Sequence, residues 1–375
     1  MTATPALGLA SPHLQPLLDD IRARRDDLHR LGHISQDIVE QFQKIGLYRA
    51  FVPEQFGGGA MTPMEFLRLI ETISAADGSA GWVASFGFAS KYLSSLPAAT
   101  LATLYRETPD VVFAGAVFPP QPVTPEGKGY RVRGRWGFGS GCMGASLIGV
   151  GVRIEGESGG LPRMAVMPRE QVRIEGNWDT IGMFATGSHD LVVEDVLVPE
   201  EWTLIRGAAP SIDTAAYRYP TMAMAAQVLA IVAAGVAREA IDEAVKLATR
   251  KNSITGAPSM AYRPAFQTAL AQMEAQLRSA RAWFYEETEA MWDRVSRGDA
   301  VATEEVAALR IASTHIARTG ADVTRRAFEM AGTTGIFNSH PLSRLLLDAL
   351  VVAQHAFMND GTWQSGGAVL LGKTP

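Results

Sequence analysis

The amino-acid sequence predicts a mostly helical protein with a small β domain in the middle of the chain. Apolar residues recur with helical spacing at both ends, whereas short runs of β-branched and aromatic residues, separated by turns, fill the middle. A chain that groups its helices and strands in this way folds as packed layers of helix and sheet. We expect a helical domain over residues 1–110, a β domain over 111–205 and a helical bundle over 206–375.

The N-terminal segment is predicted to be helical. Apolar residues at steps of three and four positions form the stripe of an amphipathic helix: Leu14, Leu17, Leu18, Ile21, Leu28 and Leu31. Ser35 is a candidate cap for a second helix that ends near Gly46. Residues 51–59 (FVPEQFGGG) predict a loop, and helices resume at Pro63 and after Asp77.

The middle segment is predicted to form strands from about Val111 to Trp202. Its β-rich stretches are GYRVRGRWGF, SLIGVGVRI, RMAVMP and HDLVVEDVLVPE. Residues 125–129 (PEGKG) carry the glycines and proline of a hairpin loop. This segment is therefore the predicted β domain.

From about Asp213 onward the sequence is again helical, with breaks at residues 255–259, near Gly298 and at residues 332–341. The most apolar run, Met222 to Ala237, has sixteen residues and contains a glutamine. That length is too short to span a bilayer. We therefore expect a helix buried in the protein core.

The composition is that of an ordinary globular protein: 375 residues, 47% hydrophobic and 19% charged. A net charge of -5 argues against nucleic acid and anionic membranes as partners. The single cysteine excludes an internal disulfide, and we expect no metal site because no Cys/His pair has zinc-ligand spacing. The N-terminus lacks a basic segment followed by an apolar core, so we expect a cytoplasmic protein.

The most unusual stretch is residues 134–145 (GRWGFGSGCMGA), with five glycines in twelve positions. It contains a G-x-G-x-x-G match, but a predicted strand follows it where a dinucleotide-binding loop requires a helix. Regular strand alternation would place Trp136, Phe138 and Ser140 on one face. Glycines between them would allow a flat ligand to approach the backbone. The alternative is a bulged strand whose aromatic residues belong to the core.

Four stretches, taken together and in this order, resemble the acyl-CoA dehydrogenase superfamily. More closely they resemble its two-component flavin-dependent monooxygenases, such as the oxygenase component of 4-hydroxyphenylacetate hydroxylase and relatives that act on indoles, steroids and thiophenes. The stretches are residues 77–83 (DGSAGWV), 129–142 (GYRVRGRWGFGSGC), 177–199 (NWDTIGMFATGSHDLVVEDVLVP) and 341–355 (PLSRLLLDALVVAQH). The resemblance implies an acyl-CoA dehydrogenase-like fold with a β-barrel or sandwich as middle domain and a C-terminal four-helix bundle.

The resemblance also implies a flavin-binding site. Trp136, Phe138 and Ser140 match the family stretch that contacts the flavin ring. Further candidates for flavin binding are Thr186, Ser188, Arg250, Ser253, Gly332 and Gly335. For the arginine and its neighbouring serine the alternative is a solvated helix end, and for the two glycines it is a helix C-cap.

The resemblance offers two chemistries, which the last helices distinguish. The dehydrogenases carry a glutamate base eight residues after the position of Asp348, which is Ala356 here, and Asp360 lies one helical turn too late. His355 lies seven residues after Asp348, where the monooxygenases carry a histidine. The resemblance thus implies His355 and Ser140 as catalytic residues; the alternative for the histidine is a structural role within the bundle.

The implied function is that of an oxygenase component. It would use reduced flavin (FADH2 or FMNH2) and O2, through a flavin hydroperoxide, to hydroxylate a small aromatic substrate. The apolar residues 143–145 (MGA) favour an indole-type ring over a phenol. A separate NAD(P)H-flavin reductase and a homotetramer are expected as partners. The alternatives are an acyl-CoA dehydrogenase with bound FAD and a non-catalytic binding protein of the same fold.

Overall fold

The computed structural model describes residues 6–154, 162–249 and 259–373, and it has the predicted order of helices, strands and helices. Before the first strand, the described residues form α1 (Leu14–Ala23), α2 (Arg25–Leu31), α3 (Gln36–Lys44), α4 (Pro63–Ala76), α5 (Gly78–Ser85), α6 (Ser90–Leu93) and α7 (Ala98–Leu104). Thr62 caps α4 through a capping box with Glu65, and Asp77 caps α5 by accepting the Ala80 N–H.

The predicted first amphipathic helix is two helices, because the chain turns between Ala23 and Arg25. Leu31, the last apolar residue of the predicted stripe, is 51% exposed. Ser35 precedes α3, but its side chain makes no capping hydrogen bond and instead accepts from Arg24. The apolar spacing was therefore a correct sign of helix and a poor guide to where the helix ends.

The middle of the chain forms a seven-stranded sheet in the order β5-β6-β2-β1-β3-β4-β7. The strands are β1 (Phe113–Glu126), β2 (Gly129–Trp136), β3 (Leu147–Ile154), β4 (Arg163–Pro168), β5 (Arg173–Glu175), β6 (Asp190–Pro199) and β7 (Thr203–Ile205). The long β1 pairs in parallel with β3 and then antiparallel with β2. The predicted hairpin is confirmed, since Glu126 lies opposite Gly129.

The C-terminal part is helical, as predicted. Its described helices are α8 (Ala215–Arg218), α9 (Thr221–Thr249), α10 (Pro264–Arg297), α11 (Thr303–Ala331), α12 (Pro341–Ala353) and α13 (Asp360–Leu370). The predicted breaks near Gly298 and before Pro341 are confirmed, because Gly298 ends α10 in the left-handed conformation and α12 begins at Pro341.

Helix α9 is the core of this part of the protein. It has 29 residues, longer than the apolar run suggested and long enough to cross a membrane, but 83% of its most apolar window is buried. It packs against α4, α11 and α12. A side chain at Gly235 would collide with the Glu71 carbonyl of α4, and one at Gly320 of α11 would collide with the Ala233 carbonyl. The expectation of a buried core helix is thus confirmed.

The proposed domain boundaries at residues 110 and 205 remain a prediction. The strands of the described residues all lie between Phe113 and Ile205, and α8 begins at Ala215.

Candidate active site

Three hydroxyl groups meet where the sheet faces the N-terminal helices. Ser140 follows β2, and Thr186 and Ser188 precede β6; we call them the hydroxyl cluster. The Ser140 and Ser188 oxygens lie 2.6 Å apart, and those of Ser188 and Thr186 lie 2.7 Å apart. All three residues are buried. The structure thus brings together three of the residues that the sequence resemblance selected.

The hydrogen bonds of the cluster run in one direction. Thr186 donates its only hydroxyl proton to the Met183 carbonyl, which can only accept. Ser188 must therefore donate to Thr186, and Ser140 must donate to Ser188. The Trp82 indole N–H completes the chain by donating to Ser140 over 3.2 Å. Every hydroxyl proton is in use, so the cluster can offer a ligand an oxygen lone pair but no hydrogen.

His355 lies beside the cluster through Trp82, whose ring centroid is 5.7 Å from that of the imidazole. Helix α12 ends at Ala353, so His355 follows the helix and caps a 3-10 turn, accepting the Phe357 N–H at Nδ1. The seven residues from Asp348 to His355 therefore do not form one continuous helix, and the imidazole lies next to Trp82, which donates to Ser140.

The same contact defines the protonation state of His355. Because Nδ1 accepts, the proton of the neutral ring is on Nε2. Burial, and then the positive charge of Arg206, lowers the pKa of His355 to about 4. His355 is therefore a neutral imidazole at neutral pH, with a hydrogen-bond donor to offer at Nε2.

An exposed apolar surface adjoins the hydroxyl cluster. Phe138 is 74% exposed and Ile181 is 70% exposed. The Phe138 ring meets the Trp178 ring edge-on at 5.9 Å between centroids. Large apolar side chains at such exposure are typical of a surface that another molecule covers.

Trp136 does not share this surface, contrary to the predicted alternation. It is fully buried in the core of the sheet, and its indole N–H donates to the Gly151 carbonyl over 2.7 Å. The strand ends at Trp136, and Phe138 adopts a left-handed backbone conformation with φ 65°. That change of backbone direction breaks the parity of the strand. Trp136 therefore supports the site from within the core and does not reach a ligand.

The loop that carries Thr186 is anchored to α12. Asp348 is buried and accepts the Met183 backbone N–H. Burial and the charge of the neighbouring Asp77 raise the pKa of Asp348 to about 7. Gly182 lies against the Leu347 backbone, where a side chain would collide with the carbonyl carbon. These contacts fix the position of Met183, the terminal acceptor of the hydroxyl chain.

Asp360 is not placed as a catalytic base. It is the first residue of α13, its side chain is 91% exposed, and it pairs with Arg318. Ala356, the position that corresponds to the dehydrogenase base, cannot accept a proton. Neither position therefore supplies the carboxylate that α-proton removal requires.

The remaining predicted site residues fall in other places. Gly332 ends α11 with φ 56°, which agrees with a C-cap, and Gly335 closes the following turn next to the exposed Ile336. Arg250 and Ser253 lie outside the described residues. Sequence reasoning missed Trp82 and Arg206: the first lies in the DGSAGWV stretch that signalled the family, whereas no pattern in the sequence marks the second.

Two cavities lie apart from the hydroxyl cluster. One, of about 230 Å³, lies between α11 and α13, and the other, of about 220 Å³, lies beside Arg344 and Asp348. Neither is lined by His355 or by the hydroxyl cluster. The candidate active site therefore lies at the hydroxyl cluster, His355 and the exposed apolar surface, where hydrogen-bonding groups adjoin an uncovered aromatic ring.

Comparison of the sequence with known proteins identifies its family. The sequence matches the family described as Acyl-CoA dehydrogenase, N-terminal domain, over residues 14–96, and the one described as Acyl-CoA dehydrogenase, C-terminal domain, over residues 227–360. It is 50% identical to an indole-3-acetate monooxygenase of Pseudomonas putida, over 100% of this chain and 97% of that protein. It is 48% identical to an indole-3-acetate monooxygenase of Acinetobacter baumannii, over 96% and 94%.

A more distant relative is also named a flavin-dependent monooxygenase, and solved structures have the same fold. The flavin-dependent monooxygenase oxygenase subunit HsaA of Rhodococcus jostii is 28% identical, over 92% of this chain and 93% of that one. The crystal structure of 3-HSA hydroxylase from a Rhodococcus species superposes with a TM-score of 0.90, at 24% identity over 97% and 96% of the two chains. XiaF from Streptomyces, solved with FADH2 and glycerol, also has a TM-score of 0.90, at 19% identity over 97% and 95%.

The fold and these matches show that the chain belongs to the acyl-CoA dehydrogenase superfamily and, within it, to the flavin-dependent monooxygenases.

Proposed function

We propose that this enzyme is the oxygenase component of a two-component monooxygenase, and that it oxygenates an indole with an acidic side chain, of the indole-3-acetate type. The observation that carries the proposal is the 50% identity, over the full chain, to an indole-3-acetate monooxygenase. The apolar residues 143–145, which follow the glycine-rich stretch, agree with an indole ring, and Met143 is 41% exposed.

The described residues fit a flavin. The exposed ring of Phe138 and the half-buried ring of Trp178, together with Ile181, would cover the flat apolar ring system, and the hydroxyl cluster would meet a polar edge. When bound in its reduced form, the flavin supplies the electrons that activate dioxygen. Because Ser140 has only lone pairs to offer, the cluster favours the ring that carries more N–H donors, which is the reduced one.

His355 has the properties of a hydrogen-bond donor that stays neutral. Its Nε2–H can hydrogen-bond to an oxygen atom in the site without adding a charge, since burial keeps the ring uncharged. Trp82 holds the imidazole against the site from one side. We propose that His355 orients oxygen through this hydrogen bond during oxygen transfer, and that Ser140 positions the flavin.

Further parts of the proposal concern the assembly. A separate NAD(P)H-flavin reductase would supply the reduced flavin, as the name oxygenase subunit of a relative suggests. We also propose a cytoplasmic homotetramer in which Arg250 and Ser253 contact the flavin, partly across a subunit interface.

A single-turnover experiment tests the proposed function. The protein is mixed anaerobically with reduced FAD or reduced FMN and indole-3-acetate, and ¹⁸O2 is then added. We expect a product that carries one ¹⁸O atom, measured by mass spectrometry, and at most one product molecule for each enzyme–flavin complex. Hydrogen peroxide alone, with indole-3-acetate recovered unchanged, would reject the proposal. Anaerobic reduction of oxidised FAD by an acyl-CoA, in a separate mixture with the protein, would favour the dehydrogenase.

A further inference from the structure

Arg206 is a cation beside the candidate active site, and it has no anionic partner among the described residues. It follows β7, and its guanidinium carbon lies 5.3 Å from the centre of the Tyr92 ring and 5.6 Å from that of the Phe357 ring. Its Nε is buried and has no hydrogen-bond partner within the described part of the chain. Over that same part, no carboxylate oxygen lies within the 4.0 Å of an ion pair.

Many arginines of the described residues pair with a carboxylate, which Arg206 does not. Arg49 pairs with Asp110, Arg218 with Asp213, and Arg238 with Glu274. A half-buried guanidinium that lacks such a partner has lost part of its hydration without a compensating charge. The site around Arg206 is therefore complementary to an anion.

A continuous series of rings connects Arg206 to the catalytic groups. The Phe357 ring lies 5.0 Å from the His355 ring, and the His355 ring lies 5.7 Å from that of Trp82. Trp82 in turn donates to Ser140. The cation thus lies at one end of an aromatic wall and the hydroxyl cluster at the other.

The geometry of a guanidinium determines how it can bind here. Its N–H groups all lie in one plane, and the Nε–H of Arg206 has no hydrogen-bond partner among the described residues. A carboxylate accepts two parallel N–H bonds from one edge of such a group. The neighbouring Tyr92 and Phe357 rings stabilise the cation and restrict the side chain.

We propose that Arg206 binds the carboxylate of the substrate and so selects an aromatic acid over a neutral aromatic compound. This inference rests on the proposed function and names the residue responsible for its specificity. With the carboxylate at Arg206, the aromatic ring of the substrate would lie along Phe357 and His355, toward Ser140. Arg206 would then be a residue of specificity, and oxygen transfer itself would not require its charge.

The test compares two ligands of nearly equal size, indole-3-acetate and the uncharged indole-3-acetamide, on the enzyme with reduced flavin. Arg206→Gln should raise the KM and the Kd for indole-3-acetate about 10- to 100-fold, the value of a charge-assisted pair of hydrogen bonds. The values for the amide should change less than about threefold. Arg206→Lys should lie between the wild type and Arg206→Gln, since the ammonium keeps the charge and loses the two-pronged geometry.

Arg326→Gln is the matched control, because it removes one positive charge from a surface ion pair with Glu329. It should leave both ligands unaffected. If Arg206→Gln weakens acid and amide equally, or neither, Arg206 does not bind the carboxylate and the inference is wrong while the proposed function stands. If the wild-type enzyme neither binds nor oxygenates indole-3-acetate, both the inference and the proposed function are wrong.

Discussion

The protonation state of His355 follows from its immediate surroundings. Burial and the Arg206 charge lower its pKa to about 4, below the 6.5 of a free imidazole. A base with a lowered pKa in the folded protein stabilises the fold above pH 6.5, and this contribution is lost as the pH falls through about 4. Between pH 6 and 8 the ring keeps one protonation state. A pH-dependent rate in that range must therefore come from another group.

His355→Ala should lower product formation by about 10²-fold, the usual scale for the loss of a group positioned at the reacting atoms. Flavin binding should be nearly unchanged, because the imidazole contacts Trp82 and Phe357 rather than the exposed rings. Oxygen uptake should continue and yield hydrogen peroxide. The measurement is the ratio of product to oxygen consumed, determined together with the peroxide released.

His315→Ala provides a control for the loss of a half-buried histidine beside a tryptophan. His315 on α11 lies 5.6 Å from the Trp283 ring, away from the hydroxyl cluster. Asp360→Asn, at the exposed carboxylate, should also retain activity within about twofold. An unchanged product-to-oxygen ratio in His355→Ala would return the histidine to a structural role. Loss of activity in Asp360→Asn would revive the dehydrogenase alternative.

Individual residues also show how far the sequence could lead. The motif around Ser140 correctly indicated the loop that carries this residue. The regular alternation of a strand, however, predicted that Trp136 and Phe138 share one face. The positive φ at Phe138 reverses the backbone there, and few sequence patterns forecast a left-handed phenylalanine. Arg206 was missed because its role depends on rings from α6 and from the turn after α12. Contacts between distant segments leave no local pattern.

At the scale of elements, the loop between β5 and β6 depends on α12. Asp348 of α12 accepts the Met183 N–H, and Met183 accepts from Thr186 and from the Trp178 indole. One buried carboxyl group thus connects the bundle to the hydroxyl cluster. Its raised pKa has a consequence for stability: the folded state holds a proton that the unfolded chain releases.

Asp348→Asn tests this connection through the pH dependence of stability. The folded pKa, about 7, lies above the usual 3.8, so the contribution of this carboxyl group to stability is present below about pH 4 and lost as the pH rises to about 7. Asparagine can still accept the Met183 N–H and has no charge to bury. The difference in Tm between the variant and the wild type should therefore grow by several degrees, in favour of the variant, as the pH rises from 5 to 8.

The measurement is Tm by calorimetry at both pH values, with Asp360→Asn as the exposed control, for which we expect no such gain. A variant that loses stability equally at pH 5 and pH 8 would mean that Asp348 is ionised in the folded protein. The same experiment would then place the pKa shift on Asp77, whose pKa burial also raises.

For helices and strands, too, the local sequence predicts some features and tertiary contacts decide others. The type of each stretch, helical or β, was predicted correctly because the spacing of its apolar residues is visible in the local sequence. The end of the first helix was wrong, since tertiary contacts decide where a helix stops. The resemblance selected His355, but the spacing from Asp348 did not reveal the turn in which its Nδ1 accepts the Phe357 N–H.

On the whole-molecule scale, the C-terminal part exposes large apolar side chains. Ile336 is 63% and Phe337 is 62% exposed, directly after the Gly332–Gly335 turn, and Tyr262 is 79% exposed near the start of α10. These are the surfaces that a homotetramer would cover. A subunit interface at this turn would also bring a neighbouring chain to the glycines that the resemblance assigns to the flavin.

We predict a homotetramer by light scattering, and Phe337→Asp should shift it to smaller species because a charge would be buried at the interface. The shift should be accompanied by weaker binding of reduced flavin. Phe118→Asp, at a residue of β1 that is 60% exposed, is the control and should leave the assembly intact. A wild-type monomer with full activity would contradict the predicted assembly.

Anaerobic titration with reduced and with oxidised flavin measures whether this site prefers a reduced flavin, which another protein would supply. The hydroxyl chain from Trp82 to Met183 leaves Ser140 able to accept and unable to donate, and the reduced ring has the additional N–H donor. We predict a colourless purified protein whose Kd for reduced FAD or FMN is at least about 10-fold lower than for the oxidised form. Oxidised FAD that stays bound through purification at one per chain, or equal Kd values for the two forms, would contradict the account.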